Sequence, residues 1–526
     1  MTIRSMQDWP LRISQIMDHA EREHGGREIV SARADGTIHR TNWRSVAFAS
    51  RRMAQALERL GIKPGERVAT LAMNHDRHLV SWFGVVGMGG VIHTINPRLF
   101  DDQIAYIANH AEDRVLLYDA AFKGIVERLR SNANSIEHFI CFDTEFDDWI
   151  DRENGDYDWV IGDERDPCGL CYTSGTTGNP KGVLYEHRST VLHSMSVIAP
   201  DVFNLSARSV MLPVVPMFHA NSWCIPYAAA IAGLKLVLCA DNQPASLCDL
   251  FNSEQVTHSA GVPTVWLTVM QHTEATGTEF PSLRSIVVGG SAAPESMIRW
   301  FRRRGIAMNH LWGMTEMSPI GTVGVPPVNC DALSDDEQVA YALRPGRSMF
   351  GVELRSVDEN GTILPRDGIQ VGHLQTRGAS VLKRYFKHEK DAVDDQQWFD
   401  TGDIAAIHPD GSIQITDRAK DVIKSGGEWI SSIELENAAV GCAGIAEAAA
   451  IGISHEKWGE RPLLIVVRTP GSSTSEEDIR AHLTSRVAKW WQPDAIHFVD
   501  EIPHTGTGKI SKKILRDLYG STPTNL

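Results

Sequence analysis

The sequence lacks an uninterrupted apolar stretch of the length needed to cross a membrane. Residues 79–95 and 222–240 are largely apolar, but several glycines and His93 interrupt the first stretch, while Pro226, Gly233 and Lys235 interrupt the second. A membrane-spanning helix needs about 20 consecutive and mostly apolar residues. Each stretch is therefore better explained as a buried helix followed by a buried strand.

Cysteine is not enriched, with an ordinary 8 in 526 residues, and the N-terminal residues show no apolar segment followed by a cleavage site. Cys168 and Cys171 form a Cys-x-x-Cys pair. A zinc site would need a second pair nearby, and a redox site would need a helix that starts after the first cysteine. Buried thiols on a strand are favoured instead, and free thiols without a secretion signal predict a cytoplasmic protein.

Positive charge is in deficit, because the formal net charge is -15. This balance argues against non-specific nucleic-acid binding, although local loops can still bind an anionic ligand. Apolar residues at 42% and charged residues at 22% are typical of a globular protein. Single cores rarely exceed about 300 residues, so the chain is expected to form more than one domain.

The first part of the chain alternates between helical and strand-like patterns. Helical spacing of apolar residues over 43–60 and 79–86 is followed each time by a short apolar run, at 67–73 and 90–95. Repeated β–α alternation predicts mostly parallel sheets covered by helices.

The pattern changes towards the C-terminus. The strand predicted at 285–290 and the helix at 294–302 still alternate, but after about residue 345 glycine turns recur, as at 359–361 and 409–411. Such turns between short alternating strands predict antiparallel hairpins. A small mixed segment follows, so we predict a large domain over residues 1–419 and a small domain over 420–526.

Residues 172–182 form the most informative segment, reading Tyr-Thr-Ser-Gly-Thr-Thr-Gly-Asn-Pro-Lys-Gly. Backbone N–H groups, hydroxyls and one lysine in such a loop can surround a polyphosphate. An apolar run at 168–172 predicts a buried strand before the loop, and a helical pattern begins near His187. The segment is not the common P-loop, because Lys181 follows proline and precedes glycine. A flexible Ser/Thr/Gly linker is the alternative, but a linker needs neither the Pro-Lys-Gly ending nor the strand.

This segment resembles the phosphate loop of the adenylate-forming superfamily, which includes acyl-CoA synthetases, firefly luciferase and the adenylation domains of peptide synthetases. Four further segments, at 311–316, 398–403, 417–428 and 505–510, resemble other motifs of that superfamily. The resemblance extends over nearly the whole chain. It implies an α/β fold with a large N-terminal domain of helix-flanked β-sheets and a small barrel-like subdomain, followed by a mobile α+β C-terminal domain.

The resemblance implies an ATP site in the large domain. Thr315 would bond the α-phosphate, and Thr176 and Glu316 would hold Mg²⁺, since hard cations prefer oxygen ligands. The family usually has tyrosine where Trp312 stands, and the larger ring is expected to narrow the acyl pocket. The residues implied to bind ATP or AMP are Thr173, Ser174, Gly175, Thr176, Thr177, Gly178, Lys181, Gly289, Gly290, Ser291, His310, Leu311, Trp312, Gly313, Met314, Thr315, Asp403 and Arg418.

Within this set, Asp403 would accept hydrogen bonds from both ribose hydroxyls. Arg418 would contact the ribose and the phosphate, and Lys420 would be the hinge about which the small domain turns. Alone, each of these residues would be interpreted as an ordinary charged residue in a turn.

The small domain would supply two further elements. Lys509 would reach the substrate carboxylate and the α-phosphate during adenylation, as a point charge on a flexible stem can. A glycine loop would approach the incoming thiol, since glycines permit close backbone approach. The residues of this CoA-side loop are Ser425, Gly426, Gly427, Glu428 and Trp429.

The acyl pocket is predicted around residues 216–223, where His219 matches a position that gates the pocket in acyl-CoA synthetases. A histidine satisfied within the core is the alternative. Amino-acid-activating relatives carry an aspartate shortly after the equivalent of Phe218, and its absence here argues against amino-acid substrates. The predicted pocket residues are His219, Asn221, Trp223, Val262, Gly289, Trp312 and Met317. They suggest a tight apolar pocket, although they are equally compatible with core packing.

The narrower resemblance is to medium-chain fatty-acyl-CoA synthetases and 3-methylmercaptopropionyl-CoA ligases. It implies an acid–CoA ligase that uses ATP, Mg²⁺ and coenzyme A and forms an acyl-adenylate from short- to medium-chain apolar acids. A homodimer is a further expectation, with no nucleic-acid partner. Three alternatives remain open: transfer to a carrier-protein thiol, an aryl acid–CoA ligase, and a nucleotide-binding regulator without catalysis.

Overall fold

The structure is a computed structural model that describes residues 5–173, 179–426, 428–505 and 510–520. Strands and helices alternate over the first 323 residues, as the sequence predicts. The strands of this part are β1 (Glu28–Ala32), β2 (Ile38–Asn42), β3 (Arg67–Leu71), β4 (Val91–Thr94), β5 (Asp113–Tyr118), β6 (His138–Cys141), β7 (Pro167–Tyr172), β8 (Gly182–Glu186), β9 (Val210–Pro213), β10 (Lys235–Cys239), β11 (His258–Gly261), β12 (Ser285–Val288), β13 (Ala307–Gly313) and β14 (Ile320–Val323). The helices are α1 (Ile13–His24), α2 (Trp43–Arg59), α3 (Asp76–Gly87), α4 (Asp101–Ala111), α5 (Lys123–Leu129), α6 (Phe146–Ile150), α7 (His187–Val197), α8 (Ile225–Ala232), α9 (Pro244–Ser253), α10 (Pro263–Thr276) and α11 (Glu295–Arg303).

The remainder of the chain is richer in antiparallel strands. Its strands are β15 (Arg347–Ser348), β16 (Val352–Val357), β17 (Gly372–Gly378), β18 (Phe399–Ile407), β19 (Ile413–Arg418), β20 (Ile423–Ser425), β21 (Glu428–Ile430), β22 (Ile445–His455), β23 (Gly459–Arg468) and β24 (Ala495–Phe498). Its helices are α12 (Asp335–Ala342), α13 (Ser432–Val440), α14 (Glu476–Thr484) and α15 (Lys512–Tyr519).

Two large sheets form the first part. One has six strands in the order β6-β5-β3-β4-β7-β8, and its pairs are parallel except β7–β8. The other has nine strands in the order β15-β14-β13-β12-β11-β9-β10-β1-β2, with a parallel centre and antiparallel edges. The central strands are apolar on both faces because helices cover both sides of a parallel sheet. The predicted helix-covered parallel sheets are confirmed.

The packing between the two sheets is largely apolar and joins the large domain into one unit. Trp82 and Phe83 of α3 contact Tyr227 of α8, with ring centroids 5.4 Å apart in both pairs. Trp43 at the start of α2 lies fully buried against Phe83 and donates its ring N–H to the Leu234 carbonyl. This shared core fixes the carboxyl ends of strands from the two sheets relative to one another.

The last part contains the predicted antiparallel hairpins. Strands β16 to β19 pair in sequence order as a four-stranded antiparallel sheet. A smaller sheet follows, in which β22 and β23 form a long antiparallel pair and α13, α14 and α15 pack around it. The predicted boundary at 419/420 falls between β19 and β20 and stays a prediction.

One local prediction is wrong. The phosphate-loop segment does not run directly into a helix, because residues 182–186 form β8 and return antiparallel along β7 before α7 begins at His187. The alternating pattern of Gly182 to Glu186 supplies the reason, since Val183 and Tyr185 pack in the core while Glu186 is exposed. The loop therefore connects two strands of a hairpin.

The apolar stretches and the cysteines behave as predicted. Residues 79–95 and 222–240 each contribute a buried helix and a strand, and among the described residues no helix is long and apolar enough for a membrane span. All eight cysteines are free thiols. Burial raises the pKa of Cys168 to about 12 and that of Cys171 to about 11, so neither thiol ionises readily.

Candidate active site

The ends of the predicted phosphate loop are joined by the hairpin. Thr173 donates its backbone N–H to the Lys181 carbonyl at 2.9 Å. The Lys181 ammonium lies 4.8 Å from the centroid of the Tyr385 ring, which places a cation over an aromatic face. Residues Ser174, Gly175, Thr176, Thr177 and Gly178 lie outside the described residues, so their predicted phosphate contacts stay predictions.

Tyr385 also contacts the carboxylate that the sequence assigns to the metal. Its hydroxyl donates to Glu316 Oε1 at 2.8 Å, and the backbone N–H of Leu382 donates to the Glu316 carbonyl at 2.7 Å. Burial raises the pKa of the Tyr385 hydroxyl above its ordinary value, so the hydroxyl stays protonated and donates. Tyr385 thus links Lys181 to Glu316.

Thr315 is held in a similar way by a second tyrosine. Tyr185 of β8 donates its hydroxyl to the Thr315 carbonyl at 2.7 Å. Since β8 begins directly after the predicted phosphate loop, this bond joins that loop's hairpin to the Thr315–Glu316 segment. The sequence analysis missed both tyrosines. Tyr185 could have been noticed, because it lies three positions after the predicted phosphate loop, whereas Tyr385 lies 13 positions before the nearest predicted motif and has no local signal.

Replacing Tyr385 with phenylalanine is expected to lower kcat/KM for ATP by about three- to tenfold. The substitution keeps the ring beside Lys181 but removes a hydrogen bond to a buried carboxylate, which contributes about 1 kcal/mol or more. Tyr341→Phe is the matched control, because its hydroxyl donates to Asp410 at 2.9 Å on an exposed surface. Equal kcat/KM values for Tyr385→Phe and Tyr341→Phe would contradict a positioning role for Tyr385.

Asp403 is the best-connected carboxylate of the predicted nucleotide site. It is 2% exposed; its Oδ2 accepts the Trp312 ring N–H at 2.8 Å, and its Oδ1 pairs with Arg418 Nε at 2.8 Å. The β18–β19 register places Asp403 directly opposite Arg418. The hairpin therefore brings together two residues that the sequence assigns to the ribose.

These contacts add a role that the sequence analysis did not assign. Asp403 orients Trp312 and Arg418 through its two oxygens. The predicted bonds from the ribose hydroxyls to Asp403 stay a prediction.

Gly289 and Gly290 directly follow β12, beside the neighbouring strand β13. Val288 pairs with His310 in the parallel register, so residues 289–291 follow at the carboxyl edge of the sheet, where open α/β sheets bind ligands. A Cβ on Gly289 would stand 2.3 Å from the Leu311 side chain, and Gly290 has a φ of +90°. Glycine is therefore required at both positions. The buried ring of His310 bonds the Leu343 carbonyl at 2.9 Å, and burial lowers the pKa of this histidine.

The predicted acyl-pocket residues divide into two groups. Asn221 and Trp223 lie buried in the turn Ala220–Cys224, which follows His219, and Val262 precedes α10. Met317 is fully buried, and together with Trp312 it packs against apolar residues of the four-stranded sheet. Trp312 and Met317 therefore belong to one apolar cluster with the four-stranded sheet. Their role in the acyl pocket stays a prediction.

The predicted hinge lies beside one contact that crosses the proposed domain boundary and another within the predicted small domain. Asp417 accepts the backbone N–H of Ser432 at 2.6 Å and its hydroxyl at 2.5 Å. Arg516 of α15 pairs with Asp421 and donates to the Lys420 carbonyl at 3.1 Å. Lys420 itself is exposed.

The described part of the CoA-side loop is a tight turn between β20 and β21. Ser425 accepts from Arg461 at 3.2 Å, and Gly426 has a φ of +62° and donates to the Trp458 carbonyl at 2.7 Å. A Cβ on Gly426 would stand 2.8 Å from the Trp458 ring, so glycine is required. Trp429 is half-buried on β21. Gly427, the side chain of Glu428 and Lys509 lie outside the described residues, and their roles stay predictions.

The donor set fits a magnesium ion that is bound mainly through substrate phosphates. Within the described ranges, no group of three or more His, Cys, Asp or Glu side chains is arranged to hold a metal. Mg²⁺ usually binds one or two carboxylates together with phosphate oxygens and waters, so a cluster is not required. Glu316 is a buried carboxylate with one oxygen bonded to Tyr385, and Mg²⁺ would bind its second oxygen.

Solved structures with the same architecture are adenylate-forming enzymes. The anthranilate CoA ligase in complex with anthranoyl-AMP superposes with a TM-score of 0.87 at 24% identity, covering 98% of this chain and 99% of that one. ATP-bound MatB from Rhodopseudomonas palustris gives a TM-score of 0.83 at 24% identity, covering 96% and 99%. The predicted adenylate-forming fold is confirmed.

The sequence comparisons define the family. The AMP-binding enzyme family matches residues 17–386, and the AMP-binding enzyme C-terminal domain matches residues 434–509. The chain belongs to the AMP-binding enzyme family. It is 46% identical to the 3-methylmercaptopropionyl-CoA ligase of Ruegeria lacuscaerulensis, covering 98% of both chains. It is also 46% identical to the medium-chain-fatty-acid–CoA ligase of Ectopseudomonas oleovorans, covering 97% of this chain and 96% of that protein.

Proposed function

We propose that this protein is an ATP-dependent acid–CoA ligase that activates short- to medium-chain apolar carboxylic acids. In the first half-reaction a carboxylate oxygen attacks the α-phosphorus of ATP, the acyl-adenylate forms and pyrophosphate leaves. In the second, the sulfur of CoA attacks the acyl carbon, the thiol proton passes to solvent and AMP leaves.

The observation that carries this proposal is the near-full-length similarity to CoA ligases. The two relatives at 46% identity are named for methylmercaptopropionate and for medium-chain fatty acids, and both align over both domains. A relative at 43% identity, from Thermus thermophilus, is named for long-chain fatty acids. More distant relatives near 31% identity include a trans-cinnamate:CoA ligase of Petunia hybrida, which makes aryl acids the second candidate class.

The described contacts support a division of roles in adenylation. Lys181 and Glu316 are held together by Tyr385 on the polyphosphate side, whereas Asp403 holds Arg418 and Trp312 on the nucleoside side. Mg²⁺ bound at Glu316, with Thr176 as the second predicted ligand, would neutralise phosphate charge. Lys509 would supply a cation at the carboxylate and the α-phosphate while charge develops there.

The predicted pocket favours an apolar acyl group over a charged one. His219, Asn221 and Trp223 provide no carboxylate that would bind a substrate amine, and Met314 is a partly buried residue packed against the apolar core cluster that includes Trp223. The buried surroundings of Asn221 and Trp223 disfavour a second charge on the acid, because an unpaired charge is costly to bury.

Changing between the half-reactions requires the small domain to turn about Lys420. Such a rotation would withdraw Lys509 and bring Gly426 and Gly427 towards the thiol. The bond of Asp417 to Ser432 crosses the boundary and would be rearranged by that motion, whereas the bond of Arg516 to Asp421 lies within the small domain and would move with it.

The assay of choice measures AMP formation with a panel of straight-chain, thioether and aryl carboxylic acids. We expect CoA to be the acceptor and the highest kcat/KM to fall on a short- to medium-chain or thioether acid. A phosphopantetheinylated carrier protein replaces CoA in a parallel series. Higher kcat/KM with the carrier would contradict the CoA ligase assignment, and a preference for cinnamate or benzoate would favour the aryl alternative.

We further propose a cytoplasmic homodimer. Free buried thiols are compatible with a reducing compartment. Light scattering on the purified protein is expected to give twice the chain mass of 58.2 kDa. A mass equal to one chain across micromolar concentrations would contradict the dimer.

A further inference from the structure

The turn Ala220–Cys224 has a backbone conformation that L-residues rarely adopt in succession. Its five residues all have positive φ values, and none is glycine. The values are +37° for Ala220, +43° for Asn221, +47° for Ser222, +54° for Trp223 and +58° for Cys224. Left-handed helical conformation brings Cβ close to the following carbonyl, so each of these residues is strained. Such strain persists only where the surroundings hold the segment in place.

Residues at the carboxyl end of β4 and on β7 contact the first half of the turn. Thr94 donates its hydroxyl to Asn221 Oδ1 at 3.2 Å, and both residues are buried. Gly169 of β7 packs against the same side chain, since a Cβ on Gly169 would stand 3.1 Å from Asn221 Nδ2. Both contacts come from the six-stranded sheet, whereas the turn leads into α8 and β10 of the nine-stranded sheet.

Asn74 holds the segment that leads into the turn. Its Oδ1 accepts the backbone N–H of Met217 at 2.7 Å, and its Nδ2 donates to the carbonyls of Pro213 at 3.1 Å and Val215 at 3.0 Å. Asn74 is 1% exposed and follows β3, so it too belongs to the six-stranded sheet.

The contacts made by Asn74 and by Thr94 are connected to each other through Val215 and Ser222. Ser222 donates its hydroxyl to the same Val215 carbonyl at 3.1 Å. The chain from Pro213 to Cys224 is thus fastened at its start by Asn74, in its middle by Val215 and Ser222, and at Asn221 by Thr94. A shift at Asn74 or Thr94 is transmitted to Trp223, because close-packed interiors leave little free space.

We propose that Thr94 and Asn74 are positioning residues that set the acyl selectivity of this enzyme by holding the left-handed turn against the substrate. The inference rests on the proposed function, in which His219, Asn221 and Trp223 line the acyl pocket. Neither Thr94 nor Asn74 touches the substrate in this account. They act through the position of Asn221 and Trp223.

The selectivity among acids is the property most sensitive to a small shift of Asn221 and Trp223 in the acyl pocket. One methylene in an apolar pocket changes discrimination by about tenfold or more, so a displacement much smaller than a side chain alters the preferred chain length. The nucleotide contacts of Asp403 and Glu316 are made by other elements and are expected to be unaffected.

Thr94→Val tests the proposal with little change in volume. It replaces the hydroxyl by a methyl group and leaves Asn221 Oδ1 without its donor, whereas Thr94→Ser keeps the hydroxyl. We expect Thr94→Val to change the ratio of kcat/KM between two acids that differ in length by about fivefold or more, with KM for ATP within about twofold of wild type. Thr94→Ser is expected to keep the wild-type ratio of kcat/KM values.

Thr273→Val is the matched control, because it removes a buried hydroxyl that donates to the Val269 carbonyl within α10. The control is expected to leave the ratio unchanged. Asn74→Asp is the second variant, since it keeps the size of the side chain but places oxygen against the carbonyls of Pro213 and Val215. It is expected to change the ratio of kcat/KM between the two acids, as Thr94→Val does. A melting temperature measured on the same variant shows whether it is folded.

The outcomes separate this inference from the proposed function. If the wild type forms acyl-CoA and Thr94→Val and Asn74→Asp keep the wild-type ratio, the inference is overturned while the proposed function stands. A change that Thr94→Ser or Thr273→Val reproduces would also overturn it. If the wild type forms no acyl-CoA from any acid, the proposed function fails, and the inference fails with it.

Discussion

Lys509→Ala is expected to lower the rate of acyl-adenylate formation by about 10²- to 10³-fold. Lys509 is the predicted cation at the site where the carboxylate attacks the α-phosphate, and removal of one such charge-stabilising donor typically costs this much. The thioester half-reaction, started from preformed acyl-adenylate and CoA, is expected to keep most of its rate, because the proposed rotation of the small domain would turn Lys509 away for that step. Single-turnover assays of the two half-reactions measure both values.

Lys513→Ala is the matched control, because Lys513 is an exposed lysine of α15 only four positions further along the chain. It is expected to retain wild-type rates in both half-reactions. An equal loss of both half-reactions in Lys509→Ala would contradict the assignment of the two steps to two orientations of the small domain.

Asp403→Asn is expected to lower kcat/KM for ATP by about thirtyfold or more. The substitution keeps the shape of the side chain but removes the charge that Arg418 Nε and the Trp312 ring N–H share. The Asp403 carboxylate is buried although Arg418 is 37% exposed, and hydrogen bonds to a charged group contribute about 2 kcal/mol. Steady-state kinetics at varied ATP concentration measure the effect.

Asp400→Asn provides the comparison on the same strand. Asp400 is exposed and its Oδ1 caps the Gly402 N–H at 2.9 Å, an interaction that asparagine preserves. We expect the Asp400 variant to have wild-type kcat/KM for ATP. Similar melting temperatures of the two variants would show that the Asp403 effect is local, and an unchanged kcat/KM in Asp403→Asn would contradict its role at the nucleotide.

Local sequence patterns were sufficient to predict most of the architecture. Short apolar runs and helical spacing predicted β3, β4, α2 and α3 because neighbours in sequence determine burial on the faces of a strand or helix. Glycine turns predicted the hairpins of the four-stranded sheet. The hairpin β7–β8 was missed because a five-residue strand beside a glycine-rich loop has a pattern that is also compatible with an irregular connection.

The long-range contacts of the site could not be predicted in the same way. The bonds from Asn74 to Met217 and from Thr94 to Asn221 join residues more than 120 positions apart. The left-handed turn contains no glycine, which is the usual sequence signal for positive φ. Tyr385 links Lys181 and Glu316 only because three separate segments meet there. Such contacts depend on tertiary packing and leave no local pattern.

Acid-dependent exchange of pyrophosphate into ATP, measured without CoA, is the most direct test of the account. It isolates acyl-adenylate formation, on which the predicted roles of Lys509, Glu316 and Asp403 all depend. We predict exchange only when a suitable apolar carboxylic acid is present, with AMP released once CoA is added. Absence of exchange across the whole acid panel, or cleavage of ATP to ADP and phosphate, would contradict it.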